Sequence, residues 1–110
     1  MTDMTNPGVV FAAPNDVRME DLTTPQPGPG ELLIETSRSL ISVGTELTML
    51  SGDFLPGSRW ANSTTFPCHP GYANVGRVAG VGEGADPDWV TKRVASYSPH
   101  ARQTTMASSF

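Results

Sequence analysis

Three short stretches of this 110-residue chain carry groups that could do chemistry. Gly80-Val81-Gly82-Glu83-Gly84-Ala85 matches the glycine fingerprint of a dinucleotide-binding turn in its alanine-terminated form, and it comes after a strand-like segment. The chemistry would be capture of a pyrophosphate, which needs a helix directly afterwards to offer free N–H groups and its positive dipole end. The next strand candidate begins at Arg93, so two helical turns at most would fit, and no Asp or Glu occurs after Asp88 to hold a ribose hydroxyl. A glycine-rich hairpin turn is the better reading. Cys68-His69, flanked by Pro67 and Pro70, places two metal-ligand types side by side. Adjacent residues of an extended chain point to opposite sides, and the only other histidine is His100. The spaced ligand set of a zinc site is missing. Thr45-Glu46 opens a helix-like segment and has two readings. One is capping, in which hydroxyl and carboxylate satisfy the free N–H groups of the first turn. The other is a hydroxyl placed for proton relay beside a substrate carbonyl.

The elements that must position these groups are short. Val9 to Ala13 is an apolar run that ends at the turn signal Pro14-Asn15-Asp16, and an imperfect alternation from Asp16 to Leu22 makes a first hairpin. The prolines at 25, 27 and 29 forbid helix and impose an extended, turning connection. Glu31 to Leu40 is the clearest strand, with Leu32, Ile34, Thr36, Arg38 and Leu40 on one side. At Ser42 the period changes, and Gly44 to Leu50 predicts one short helix that Gly52 stops. Asp53 to Thr65 reads as a long irregular loop, and such loops commonly carry function. Tyr72 to Val81 is a strand whose Gly76 and Gly80 imply a bulge or a close backbone approach. Arg93 to Tyr97 is the last short strand, succeeded by a polar tail. These elements predict one mainly β domain, curved and mostly antiparallel, that forms a partly open barrel with a single short helix.

Composition narrows the function further. With 37% hydrophobic and 16% charged residues the chain is of ordinary globular type, and its 11 Gly and 10 Pro favour strands and turns. A net charge of −4, with seven cations spread from Arg18 to Arg102 and only Lys92 and Arg93 adjacent, makes a poor phosphate-binding surface, so no nucleic-acid partner is expected. One cysteine permits no intrachain disulfide, which suits a reducing cytosol. The first residues lack the apolar run of a secretory signal, and no segment approaches the roughly 18 apolar residues of a membrane span. A cytoplasmic protein without a membrane partner is expected.

Taken in order, several segments resemble the medium-chain dehydrogenase/reductase superfamily. Pro25-Gln26-Pro27-Gly28-Pro29-Gly30-Glu31-Leu32-Leu33-Ile34 is similar to its P-x-P-G-P-G-E-V-L-V run. Ser42-Val43-Gly44-Thr45-Glu46 is similar to its C-G-T-D helix start, and Pro70-Gly71-Tyr72-Ala73-Asn74-Val75-Gly76-Arg77-Val78 to P-G-H-E-x-x-G-x-V. Val81-Gly82-Glu83-Gly84 and Arg93-Val94 then come in the family's order, with Lys92 where the Asp of G-D-R-V stands. The resemblance implies a GroES-like β-barrel over residues 1–110, incomplete at its C-terminal end. It also implies a small-molecule substrate, NAD(P) held by a Rossmann domain absent from this chain, and a homo-oligomer in the complete protein. It places Thr45 at the proton-relay hydroxyl, Glu46 at an acid behind it, and Tyr72 at a vacated zinc-ligand position, with Phe54 and Trp60 as apolar walls. Where zinc-dependent members carry ligands, this chain has Val43, Tyr72 and Ala73. Val and Ala offer no lone pair, and a phenol is a poor zinc ligand at neutral pH, so no zinc is expected. The implied function is the substrate-site domain of a zinc-independent reductase or dehydrogenase of a carbonyl or enone, inactive alone. The rival is a non-catalytic β-barrel binding module, since a barrel does not by itself imply chemistry.

Overall fold

The computed structural model describes residues 4–108. β1 (Pro7–Ala13) and β2 (Asp16–Asp21) form the expected antiparallel hairpin. Its turn depends on Asn15, which takes a left-handed φ of 61° that its short amide side chain tolerates. β3 (Glu31–Ser39) lies at the centre of a second, four-stranded antiparallel sheet. There it pairs with β4 (Asn74–Val81) on one side and β6 (Gln103–Ala107) on the other, and β5 (Arg93–Ser96) flanks β4. Isolated bridges, Gly8 to Ala101 and Phe11 to Cys68, tie the hairpin to the chain around the larger sheet. Two sheets joined in this way form an open, mainly β domain rather than a sealed barrel.

Leu32, Ile34 and Val78 are buried as the core of the larger sheet, with Trp89, Val94 and Met106 packed on them. The inward face of β3 ends sooner than simple alternation predicts, for Arg38 and Leu40 are exposed. Register shifts between Leu33 and Ile34 and between Thr36 and Arg38 interrupt the alternation. The sequence places its strand glycines opposite these irregularities. A Cβ at Gly76 would collide with the carbonyl oxygen of Glu35, whereas at Gly80 it would make an ordinary contact with Leu33.

α1 (Val43–Ser51) is the main helix, and Gly52 closes it in the left-handed conformation with φ 65°. Two elements go beyond the sequence reading. Arg59–Ser63 forms a second helix, α2, inside the expected loop, where the Ser58 hydroxyl caps it by accepting from the Ala61 N–H. The expected polar tail contains β6, whose backbone groups are satisfied by the free edge of β3. Polarity misleads there, because an edge strand needs only one buried face.

Candidate active site

The site lies where the larger sheet frays. Antiparallel pairing sets Ser39 opposite Asn74 and Asn74 opposite Ser96, which brings the ends of β3 and β5 to the start of β4. Around this point a cavity of about 690 Å³ opens, walled chiefly by Leu40, Tyr72, Val75, Tyr97 and Met106. The Tyr72 and Tyr97 rings stand 6.1 Å apart, tilted by 31°. A volume of this size with mostly apolar walls and a few polar groups is typical of small-molecule sites.

Behind the cavity lies a buried polar chain. Glu46, in the first turns of α1, is 4% exposed, and its Oε2 accepts the Ser42 N–H at 2.7 Å. The carboxylate thus reaches back to the N-cap in the manner of a capping box. Its Oε1 lies 2.5 Å from Nε2 of His100, and Nδ1 of His100 lies 2.7 Å from Oγ of Ser39. Capping therefore belongs to Glu46 rather than to Thr45, and Ser42 contributes no side-chain cap. Thr45 is half-buried on the same turn and is not part of the cavity wall. Phe54 and Trp60 stack on one another at 6.0 Å and 17°, also away from that wall. Of the five residues expected to form the site, Tyr72 alone lines the cavity, beside Ala73 at the neighbouring vacated ligand position, and Glu46 reaches it through His100 and Ser39.

Neither His100 nor Ser39 was legible as a functional residue. Their spacing from Glu46 fits no motif, and only the close of β3 and the loop after β5 make them neighbours.

The glycine turn has no room for a dinucleotide. A Cβ at Gly82 would collide with the carbonyl oxygen of Gly28, so another backbone already occupies the space a pyrophosphate would need. The turn leads into the single 3₁₀ turn Pro87–Trp89, not into an α-helix. Among the described residues no three His, Cys, Asp or Glu side chains converge as metal ligands. His69 is exposed, while Cys68 pairs its backbone with Phe11. Burial pushes the Cys68 thiol above its ordinary pKa. At about pH 8 iodoacetamide should therefore alkylate the folded chain more slowly than the urea-unfolded chain, because the thiolate is the nucleophile. The gap should narrow as pH rises through the raised value. Equal rates at pH 8 would show that Cys68 is solvated.

No family model matches the chain. Among curated proteins, 2-desacetyl-2-hydroxyethyl bacteriochlorophyllide A dehydrogenase of Cereibacter sphaeroides is 29% identical over 75 residues, or 68% of this chain and 22% of the relative. Among solved structures, a mycobacterial quinone oxidoreductase superposes with a TM-score of 0.65 at 26% identity, covering 92% of this chain and 31% of that one. A protein described as a zinc-binding dehydrogenase from Sinorhizobium meliloti, solved bound to NADP, gives a TM-score of 0.69 at 16% identity, covering 93% and 36%. The chain thus spans between about a fifth and a third of the length of these relatives. Its fold is one shared with these oxidoreductases and dehydrogenases. More narrowly, it is the GroES-like amino-terminal fold of the medium-chain dehydrogenases/reductases, matched over nearly the whole chain.

Proposed function

We propose that this chain is the substrate-site domain of a zinc-independent, NAD(P)-dependent oxidoreductase that acts on an apolar carbonyl or enone compound. The observation that carries the reading is the apolar cavity lined by Tyr72, the residue that the family resemblance puts at a vacated zinc-ligand position. The donor set here does not suit zinc, because Val43 and Ala73 have no lone pair to give. The dinucleotide does not fit the glycine turn either. NAD(P), which supplies the hydride, belongs to a nucleotide-binding domain outside these residues, and the chain alone is inactive. Its own residues do the remaining work. Leu40, Val75 and Met106 exclude water from the substrate body, and the rings of Tyr72 and Tyr97 hold its flat face. The hydroxyl of Tyr72 replaces the metal as donor to the substrate oxygen and Glu46 orients its neighbours from behind, while Thr45, Phe54 and Trp60, set off the cavity wall, have no contact role in this reading. A cytoplasmic location, a homo-oligomeric complete protein and the absence of nucleic-acid or membrane partners belong to the same reading. No helix among the described residues is long and apolar enough to cross a membrane.

Calorimetric titration with 1,4-naphthoquinone tests the cavity on the chain as it stands. Saturable binding is expected, and Tyr72→Ser should weaken it about tenfold, since a ring contact is worth about 0.5–1.5 kcal/mol beyond its buried area. Heats that never saturate would leave the non-catalytic module as the reading of this fold.

A further inference from the structure

Glu46 and His100 are the buried ionisable side chains among the described residues, and they are joined to each other. Both oxygens of the Glu46 carboxylate are engaged. Oε2 takes the Ser42 N–H, and Oε1 faces Nε2 of His100. With the carboxylate as acceptor, Nε2 carries the ring proton and Nδ1 keeps a lone pair toward the Ser39 hydroxyl at 2.7 Å. The ring is fixed from every side. The His100 N–H donates to the Pro70 carbonyl at 2.9 Å, and its carbonyl accepts from Val9 at 2.9 Å. Gly71 packs so closely that a Cβ there would stand 2.9 Å from the ring carbons. The outer end of the chain is different, for Ser39 is exposed and forms part of the cavity wall. A buried carboxylate, an imidazole it orients, and a hydroxyl that meets the cavity form an acid–base unit with a single outlet.

We propose that Ser39, His100 and Glu46 form a proton relay that opens into the cavity through the Ser39 hydroxyl. The ligand it serves carries an exchangeable oxygen on an apolar body, of the phenol, enol or quinol class. In the inward direction, the ligand hydroxyl gives its proton to Oγ of Ser39 while Ser39 passes its own to Nδ1 of His100. The resulting imidazolium is balanced by the Glu46 carboxylate. The reverse transfer protonates a ligand oxygen that has become an anion. Ser39 touches the ligand, whereas His100 and Glu46 are positioning residues that act through it. The relay rests on the cavity being the small-molecule site proposed above.

2-Naphthol tests it on this chain, because its excited state releases the hydroxyl proton and then emits as the naphtholate. Binding is read from fluorescence anisotropy, and proton release from the spectrum of the bound dye. The unmodified chain should bind the dye and show naphtholate emission. Ser39→Ala, which removes one hydrogen bond to the dye, should bind up to about tenfold more weakly and, at saturation, emit as neutral naphthol, and Ser39→Thr should restore the naphtholate band. His100→Gln should repeat the Ser39→Ala result where it folds, and Ser39→Ala decides alone where it does not. Bound dye that emits as neutral naphthol in the unmodified chain, or as naphtholate in Ser39→Ala, overturns the relay while leaving the cavity reading intact. A dye that does not bind overturns the cavity reading and the relay with it.

Discussion

Replacing Glu46 with alanine is expected to cost about 2–6 kcal/mol of folding stability, one of the two largest effects expected in this chain. The substitution orphans two partners, the half-buried Ser42 N–H and Nε2 of the buried His100, and each unsatisfied group costs about 1–3 kcal/mol. A domain of this size holds about 5–15 kcal/mol in total, so the loss takes a large share of it. Each kcal/mol moves the melting temperature of a small domain by roughly 4–8 °C, which predicts a fall of at least about 8 °C. Glu46→Gln keeps an acceptor for one of the two groups and should fall between. Thermal denaturation of the three chains, monitored by circular dichroism, decides the matter. A Glu46→Ala chain that melts with the unmodified one would mean that water replaces the carboxylate and that α1 is not anchored there.

The second large effect belongs to Gly82. Here the turn that enters β3 lies directly against the end of β4, locked by two hydrogen bonds of 2.7 Å, Gly82 N–H to the Glu31 carbonyl and Gly30 N–H to that of Glu83. Glu31 also accepts the Gly28 N–H through Oε1 at 2.7 Å, which holds the proline-rich turn in place. A methyl group at Gly82 collides with the Gly28 carbonyl oxygen, and a backbone atom cannot step aside as a side chain can. Overpacking of this kind costs about 1–3 kcal/mol, and parting the two hydrogen bonds adds roughly 1 kcal/mol each. Gly82→Ala should therefore lower stability by about 3–5 kcal/mol. Gly80→Ala, two residues earlier and within β4, is the control. Its Cβ meets Leu33 at 3.9 Å, and the change should stay within about 1 kcal/mol. Equal urea midpoints for the two variants would show that the turn yields freely and that Gly82 is not needed for close approach.

Both effects bear on how much of the molecule its sequence already states. The β1–β2 hairpin, β3, the α1 helix with its stop at Gly52 and the irregularities opposite Gly76 and Gly80 are all local. Each arises from periodicity, from turn residues or from a glycine that fits where a Cβ does not. The unfitness of Gly80-Val81-Gly82-Glu83-Gly84-Ala85 as a nucleotide turn is legible too, because the missing helix and acid are linear features. β6 was not legible. Its polar residues become a strand because β3 offers an unpaired edge, and a hydrogen-bond partner more than sixty residues away leaves no trace in local pattern.

The site divides along the same line. From the residues alone come the open choice at Thr45-Glu46 between capping and relay and the unsuitability of Val43 and Ala73 as ligands. A single cysteine likewise rules out an intrachain disulfide before any coordinate is known. Tertiary structure alone decides that the carboxylate of Glu46 both caps α1 and holds His100, and that Ser39 rather than Thr45 meets the cavity. The physical reason is range. Helix periods and turn preferences act over a few neighbouring residues, whereas a hydrogen bond between residues 46 and 100 depends on where three separate backbone segments are held in space.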